Sequence, residues 1–327
     1  MDSPSAPVRM VLARDLVDRA ETRQQHARAA RRGREVRIGR GAYVDRDAWD
    51  ELSPVERDVL RLRAYARTRA VPPVFSHWSA VALHGLPFAG ERGEEIHIAV
   101  GPTAGGRSGG RIRAHSVHVP PEDIVEVAGL QCTSRERTVI DIAAGGRLPD
   151  AVAVADAVLR DRRRGPGEAD DGREALLGAW LRAQPQRGHR RSLEAVALAD
   201  GRAESPLESL SRVVMYRSGM PRPELQRPFS DGRGRIGFAD FAWPDHRVIG
   251  EADGAIKYLD AELRAGRSAE QVVVDEKVRE DRLRALGWRV VRWTWADARQ
   301  ETPLVAALTA AGVPADPTHR WADCALP

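Results

Sequence analysis

The stretch GRIGFADFAW-PDHR-VIGEADG, residues 234–254, constrains this chain more than any other. Two segments rich in β-branched and aromatic residues flank a Pro-containing turn, the pattern of a β-hairpin. With Pro244 to Arg247 as a four-residue loop, Trp243 pairs with Val248 and Asp240 falls opposite Glu251. Side chains alternate along a strand, so Glu251 and Asp253 share that face. An unpaired charge in a strand flanked by aromatic residues is costly, which marks Asp240 as functional. Three carboxylates within reach of one another repel strongly, and a divalent cation is the expected occupant. Mg²⁺ (or Mn²⁺) suits such an oxygen-only site, because it takes few carboxylates and completes its shell with water and phosphate. Asp240 and Glu251 are the expected metal ligands, and Asp253 is either a third acid or the end of its strand.

The flanking segments extend this hairpin into a larger unit. AESPLESLSRVVMYRSG begins with Ser205 as N-cap, Pro206 at the first helical position and Glu208 three residues after the cap, which predicts a helix closed by a capping box. A strand near Gln226 to Phe229 comes next, then the hairpin, a charged helix through VDEKVREDRLRAL and a final strand WRVVRWTW. The order is α-β-β-β-α-β. Among 51 basic side chains the two lysines, Lys257 and Lys277, both fall here, where a movable ammonium has a use. Glu208 either completes the capping box or joins the acidic site. Arg279 and Arg282 either hold phosphates or form the solvated side of the charged helix.

With 327 residues, two or three domains are expected. The fold class is α+β and multidomain: 1–70, 71–165, a linker and helix over 166–202, 203–300, and a tail over 301–327. No apolar run is long enough for a membrane helix, and the N-terminus has no charged region leading into an apolar one, so a cytoplasmic location is expected. The two cysteines, Cys132 and Cys324, make neither a disulfide framework nor a zinc site. A net charge of +4 excludes little by itself, but the basic residues cluster in runs. VLARDLVDRA has helical spacing. TRQQHARAARR is a second helix stopped at Gly33, and REVRIGRGAYVD turns at Gly39-Arg40-Gly41. Two helices and a basic hairpin describe a winged helix-turn-helix, with Arg23, Gln24, Arg28, Arg31 and Arg32 facing DNA from the helix and Arg37 and Arg40 from the wing. Residues 75–165 read as an α/β unit whose histidines, His77, His84, His97, His115 and His118, lack metal-ligand spacing.

Two resemblances follow from these phrases. RRGREVRIGRGAYV, FSHWSAVALHGLP and GLQCTSRERTVIDIA resemble the antitoxin of the AbiE type IV toxin-antitoxin family over roughly residues 10–160. That resemblance implies a winged-helix operator-binding domain and a following domain that counters a nucleotidyltransferase toxin. AESPLESLSR, GFADFAW, VIGEADGAIKY and EKVREDRLRALGWRVVRWTW resemble the PD-(D/E)XK nuclease superfamily, specifically its very-short-patch-repair-like endonucleases, over residues 203–296. By this resemblance Asp240 and Glu251 hold the metal, and Glu208 or Glu204 adds an acidic group. The superfamily pattern places a lysine two residues after Glu251, where this chain has Asp253. Lys257 or Lys277 then supplies the ammonium. The implied function is a metal-dependent DNA endonuclease with a DNA-binding module, with a possible homodimer on two half-sites. The alternative is a DNA-binding regulator and antitoxin with an inactive nuclease fold.

Overall fold

The computed structural model describes residues 11–12, 19–90, 93–102, 108–164, 171–185, 187–253 and 269–321. The chain divides into two units, one of residues 1–86 with 92–141 and the other of residues 87–91 with 142–327. Both contain helices and sheet, a mixed α+β architecture. Among the described residues no helix is long and apolar enough to cross a membrane.

In the first unit β1 (Val11–Leu12), β2 (Glu35–Gly39) and β3 (Ala42–Asp45) form a three-stranded sheet in the order β1-β3-β2. Helix α1 (Arg19–Arg31) leads into β2. The helical spacing expected from Val11 is not realised there: Val11 and Leu12 pair with Tyr43 and Ala42 as a strand. Backbone pairing to β3 outweighs local propensity. The β2–β3 hairpin forms as read, with Val36 opposite Val44 and Gly41 at φ 68, a conformation that favours glycine. Its apolar side, Ile38, Ala42 and Val44, packs with Trp49 of α2 (Arg46–Asp50) and with Leu60 and Ala64 of α3 (Pro54–Arg67). Ser53 and Glu56 close α3 with a full capping box.

A second sheet follows, built from β4 (Val74–Phe75), β5 (Ile96–Val100), β6 (Ile112–Ser116), β7 (Ile124–Val127) and β8 (Leu130–Thr133) in the order β6-β5-β4-β8-β7. Helix α4 (His77–Leu83) buries Ala80, Ala82 and Leu83 against Phe75 and Cys132. Helix α5 (Arg135–Gly145) follows β8.

In the second unit α6 (Leu148–Arg164) is a buried helix flanked by α7 (Asp171–Arg182) and α8 (His189–Leu198). Within the linker and helix expected over 166–202, α7 and α8 are packed helices. Leu176, Ala179 and Ala195 to Ala199 are buried, a small-residue face hidden in the sequence by interspersed arginines. Then come α9 (Pro206–Arg217), β9 (Glu224–Asp231), β10 (Gly234–Trp243), β11 (Val248–Ala252), α10 (Ala269–Ala285) and β12 (Arg289–Trp293). The sheet order is β12-β11-β10-β9, antiparallel except for β11 with β12. Leu283 of α10 packs on Ala242, Ile249 and Trp288. Trp293 donates its indole N–H to Ser211 of α9 at 2.7 Å.

After β12 comes α11 (Trp295–Gln300); within the tail expected over 301–327, Thr302–Ala310 form α12, and Trp321 is buried with its indole N–H on the Met220 carbonyl at 2.8 Å. Aromatic burial is what converts this stretch from tail to structure.

Candidate functional site

Strand register builds the site. Phe241 pairs with Gly250, Ala242 with Ile249 and Trp243 with Val248, so one further step sets Asp240 opposite Glu251. On the other side Leu225 pairs with Phe241 and Arg227 with Ala239, which sets Gln226 opposite Asp240. Glu251 in turn pairs with Arg292 of β12. Gln226, Asp240, Glu251 and Arg292 thus form a row across four strands.

Hydrogen bonds tie the row together. The Gln226 side-chain amide donates to Asp240 Oδ1 and to Glu208 Oε2, each at 3.2 Å. Asp240 Oδ2 accepts the Ala252 backbone N–H at 2.9 Å. Gln226 adopts φ 51, left-handed backbone that costs a non-glycine residue roughly 1 kcal/mol or more. The strained residue is the one whose side chain bridges two carboxylates.

Glu208 enters from the first turn of α9 and is 2% exposed. Ser205 caps the helix as read, but the reciprocal half of the capping box is altered. The Glu208 carboxylate accepts the Glu204 N–H at 2.9 Å and the Ser205 hydroxyl at 2.8 Å. Burial, and then the negative charge of Asp240, push Glu208 up to about 7. The helix that carries it is pinned by a buried ion pair: Arg212 donates to Asp156 of α6 at 2.6 Å and to the Leu198 carbonyl at 2.6 Å.

Glu251 is also pushed up to about 7 by burial, against the opposing charge of Arg279 and with a contribution from Asp240. Arg279 Nη2 donates to Glu251 Oε1 at 2.9 Å and to the Phe238 carbonyl at 2.6 Å, while Nη1 donates to Glu276 at 3.1 Å. Gly237 permits this path, since a Cβ there would lie 3.2 Å from Arg279 Nε. Neither reading of Arg279 from sequence, phosphate holder or solvated helix face, anticipates a bond into the acidic row. Arg282 is likewise engaged within the unit, clamping Asp231 at 2.7 and 2.8 Å.

The remaining expected residues are placed as follows. Asp253 lies one residue beyond β11 with its N–H on the Trp293 carbonyl at 2.8 Å, and the described hydrogen bonds give its carboxylate no link to Asp240 or Glu251. The third acid of the cluster is Glu208 instead. Lys257 lies outside the described residues, and Lys277 is exposed on α10. Sequence reasoning missed Gln226. In the first unit Arg23 lies on α1, Gln24, Arg28, Arg31 and Arg32 are on that helix or just after it, and all of these except Arg23, whose side chain is not described, are exposed. Arg37 and Arg40 are exposed on the hairpin.

Three histidines of the first unit also meet. The rings of His77 and His115 stack at 3.5 Å, and His97 Nδ1 lies 2.9 Å from His115 Nε2. Burial and mutual repulsion hold His97 down to about 4 and His77 well below the usual imidazole range. Among the described residues no group of three or more His, Cys, Asp or Glu side chains is disposed to hold a metal ion. At the acidic row Gln226 lies between Glu208 and Asp240, and Arg279 lies against Glu251. Asp240 and Glu251, set opposite each other by the strand register, are two carboxylate donors of the kind a hard divalent cation would take.

Fold and site together define a two-unit α+β protein whose second unit carries acidic and amide side chains in a row across a four-stranded sheet. No family model matches the chain. Two Mycobacterium tuberculosis proteins are similar to it: Uncharacterized protein MT2308 of strain CDC 1551 / Oshkosh and Uncharacterized protein Rv2248 of strain ATCC 25618 / H37Rv. Each is 32% identical over 292 residues, which cover 88% of this chain and 95% of the relative. The chain belongs to the family of these two mycobacterial proteins.

Proposed function

We propose that residues 203–300 form a Mg²⁺- or Mn²⁺-dependent DNA endonuclease of the restriction-endonuclease-like fold, and that the first unit holds DNA through a winged helix. The observation that carries this reading is the register that aligns Asp240 with Glu251 beside the buried Glu208. The α-β-β-β-α-β order with a parallel last pair supports the fold, and the exposed arginines of α1 and the β2–β3 hairpin support DNA contact.

Asp240 and Glu251 would hold the cation, with Glu208 beside them. When bound, the cation supplies positive charge that neutralises the phosphate oxygens. The chain's own residues do the rest. Hydrolysis would bond a water oxygen to phosphorus and break the ester P–O bond, with the water's proton passing through solvent to the departing ester oxygen, while Asp240 and Glu251 hold the cation beside the phosphate. Gln226 fixes Asp240 and Glu208 relative to each other, and the Ala252 N–H fixes the second oxygen of Asp240.

A second reading is favoured by one observation, the absence of a lysine from the position held by Asp253. In it the chain is a DNA-binding regulator or antitoxin, paired with a nucleotidyltransferase-like toxin, and its nuclease-like fold is inactive. Cleavage of labelled duplex and single-stranded DNA separates the two. Metal-dependent cleavage that EDTA abolishes and Asp240→Ala reduces by about a hundredfold or more supports the nuclease. Retained DNA binding with no cleavage in Mg²⁺ or Mn²⁺ sinks it in favour of the regulator.

A further inference from the structure

Arg279 occupies an unusual place for a helix-surface arginine: it is bonded to the one carboxylate of the row that has no backbone donor in the described hydrogen bonds. Asp240 is served by Gln226 and the Ala252 N–H, and Glu208 by Glu204, Ser205 and Gln226. Glu251 instead depends on a guanidinium carried by a separate element. The other arginine of the row, Arg292, is taken up by Glu276 and by Glu280 at 2.8 Å. Arg279 is also tethered. Its Nη1 is held by Glu276 one turn away on the same helix, so releasing Nη2 from Glu251 does not release the side chain from the site.

We propose that Arg279 is an exchangeable counter-ion. It neutralises Glu251 while no divalent cation is bound, and it turns its freed N–H groups to the anionic phosphate of the nucleic acid when a divalent cation claims Glu251. This inference rests on the nuclease reading of the same site. Its physical basis is competition, because a carboxylate oxygen engaged by a guanidinium in a half-buried pocket is withheld from a metal. The fork of the guanidinium suits two phosphate oxygens better than an ammonium does. A glycine at position 237 fits the same role, because it leaves the space through which the side chain crosses β10.

The test measures Mn²⁺ binding to the full chain by calorimetry, alongside DNA cleavage, for the unaltered protein, Arg279→Gln and Arg279→Lys. Exchange predicts that Arg279→Gln binds Mn²⁺ about tenfold more tightly yet cleaves at least about tenfold more slowly. Arg279→Lys, which keeps the charge and guards against a folding defect, is expected to bind Mn²⁺ within about threefold of the unaltered protein and to cleave more slowly. A merely structural arginine would weaken binding and cleavage together. Mn²⁺ affinity that falls or stays the same in Arg279→Gln, while the unaltered chain binds and cleaves, overturns the exchange and leaves the nuclease standing. No Mn²⁺ binding by any of the three proteins overturns the nuclease reading and this inference with it.

Discussion

The two raised carboxylates make stability depend on pH in a direction opposite to that of an ordinary surface acid. Glu208 and Glu251 are pushed from the usual glutamate value of 4.5 to about 7 in the folded chain. The folded state therefore holds their protons more tightly than the unfolded state does. Their contribution is fully present below about 4.5 and is lost as pH rises through about 7. A shift of about 2.5 units is worth ~3 kcal/mol for either carboxylate alone, and less per group for two that share Asp240 as a neighbour. Glutamine keeps the shape of the side chain and stays neutral at every pH. Urea unfolding in EDTA at pH 5 and pH 8 reads the difference. Glu251→Gln should match the unaltered chain at pH 5 and exceed it at pH 8 by roughly 2 kcal/mol, with the Glu208→Gln, Glu251→Gln double variant flatter still. An equal pH dependence in all three proteins, or a loss of stability at pH 8 in the variants, refutes the argument that burial and mutual repulsion dominate at this row.

Two other outcomes follow from the packing and from the basic face. A Cβ on Gly250 would lie 2.5 Å from Trp293 Cη2 and 3.2 Å from Trp243 Cζ3, so Gly250→Ala should cost about 1–3 kcal/mol in urea unfolding; an unchanged midpoint would show that these rings move aside freely. Replacing Arg28 and Arg31 of α1 by alanine should weaken DNA binding and lower the slope of log affinity against log salt by about 1 for each phosphate left without its arginine, whereas an unchanged slope places the DNA elsewhere.

Much of the acidic site is legible in sequence because a tight turn transmits register. Pro244 to Arg247 is short, and everything across it follows by counting, Asp240 against Glu251 included. Gln226 is not legible for the same kind of reason. Gly234 pairs with Asp231, and a regular hairpin from that turn would set Leu225 opposite Asp240. A bulge between Arg235 and Gly237 shifts the register by one and brings in Gln226 instead. The Arg279 bond depends on how α10 lies over the sheet, and no local pattern encodes that. The meeting of His77, His97 and His115 is a tertiary event too, since these residues come from a helix start and two parallel strands. The packed helices over 171–198 are obscured by composition: alanine supplies the buried face, and arginines mask the period.

The parallel pairing of β11 with β12 has a kinetic meaning. β9, β10 and β11 are joined by tight turns, so Gln226, Asp240 and Glu251 are brought together by contacts local in sequence, the kind that cost least loop closure. β12 joins β11 only after the chain has passed through α10, the crossover that a parallel pair requires. Arg279 and Arg292 arrive with that crossover. The acidic row is thus complete within residues 208–251, whereas Glu251 gains its guanidinium partner only where α10 lies against the sheet.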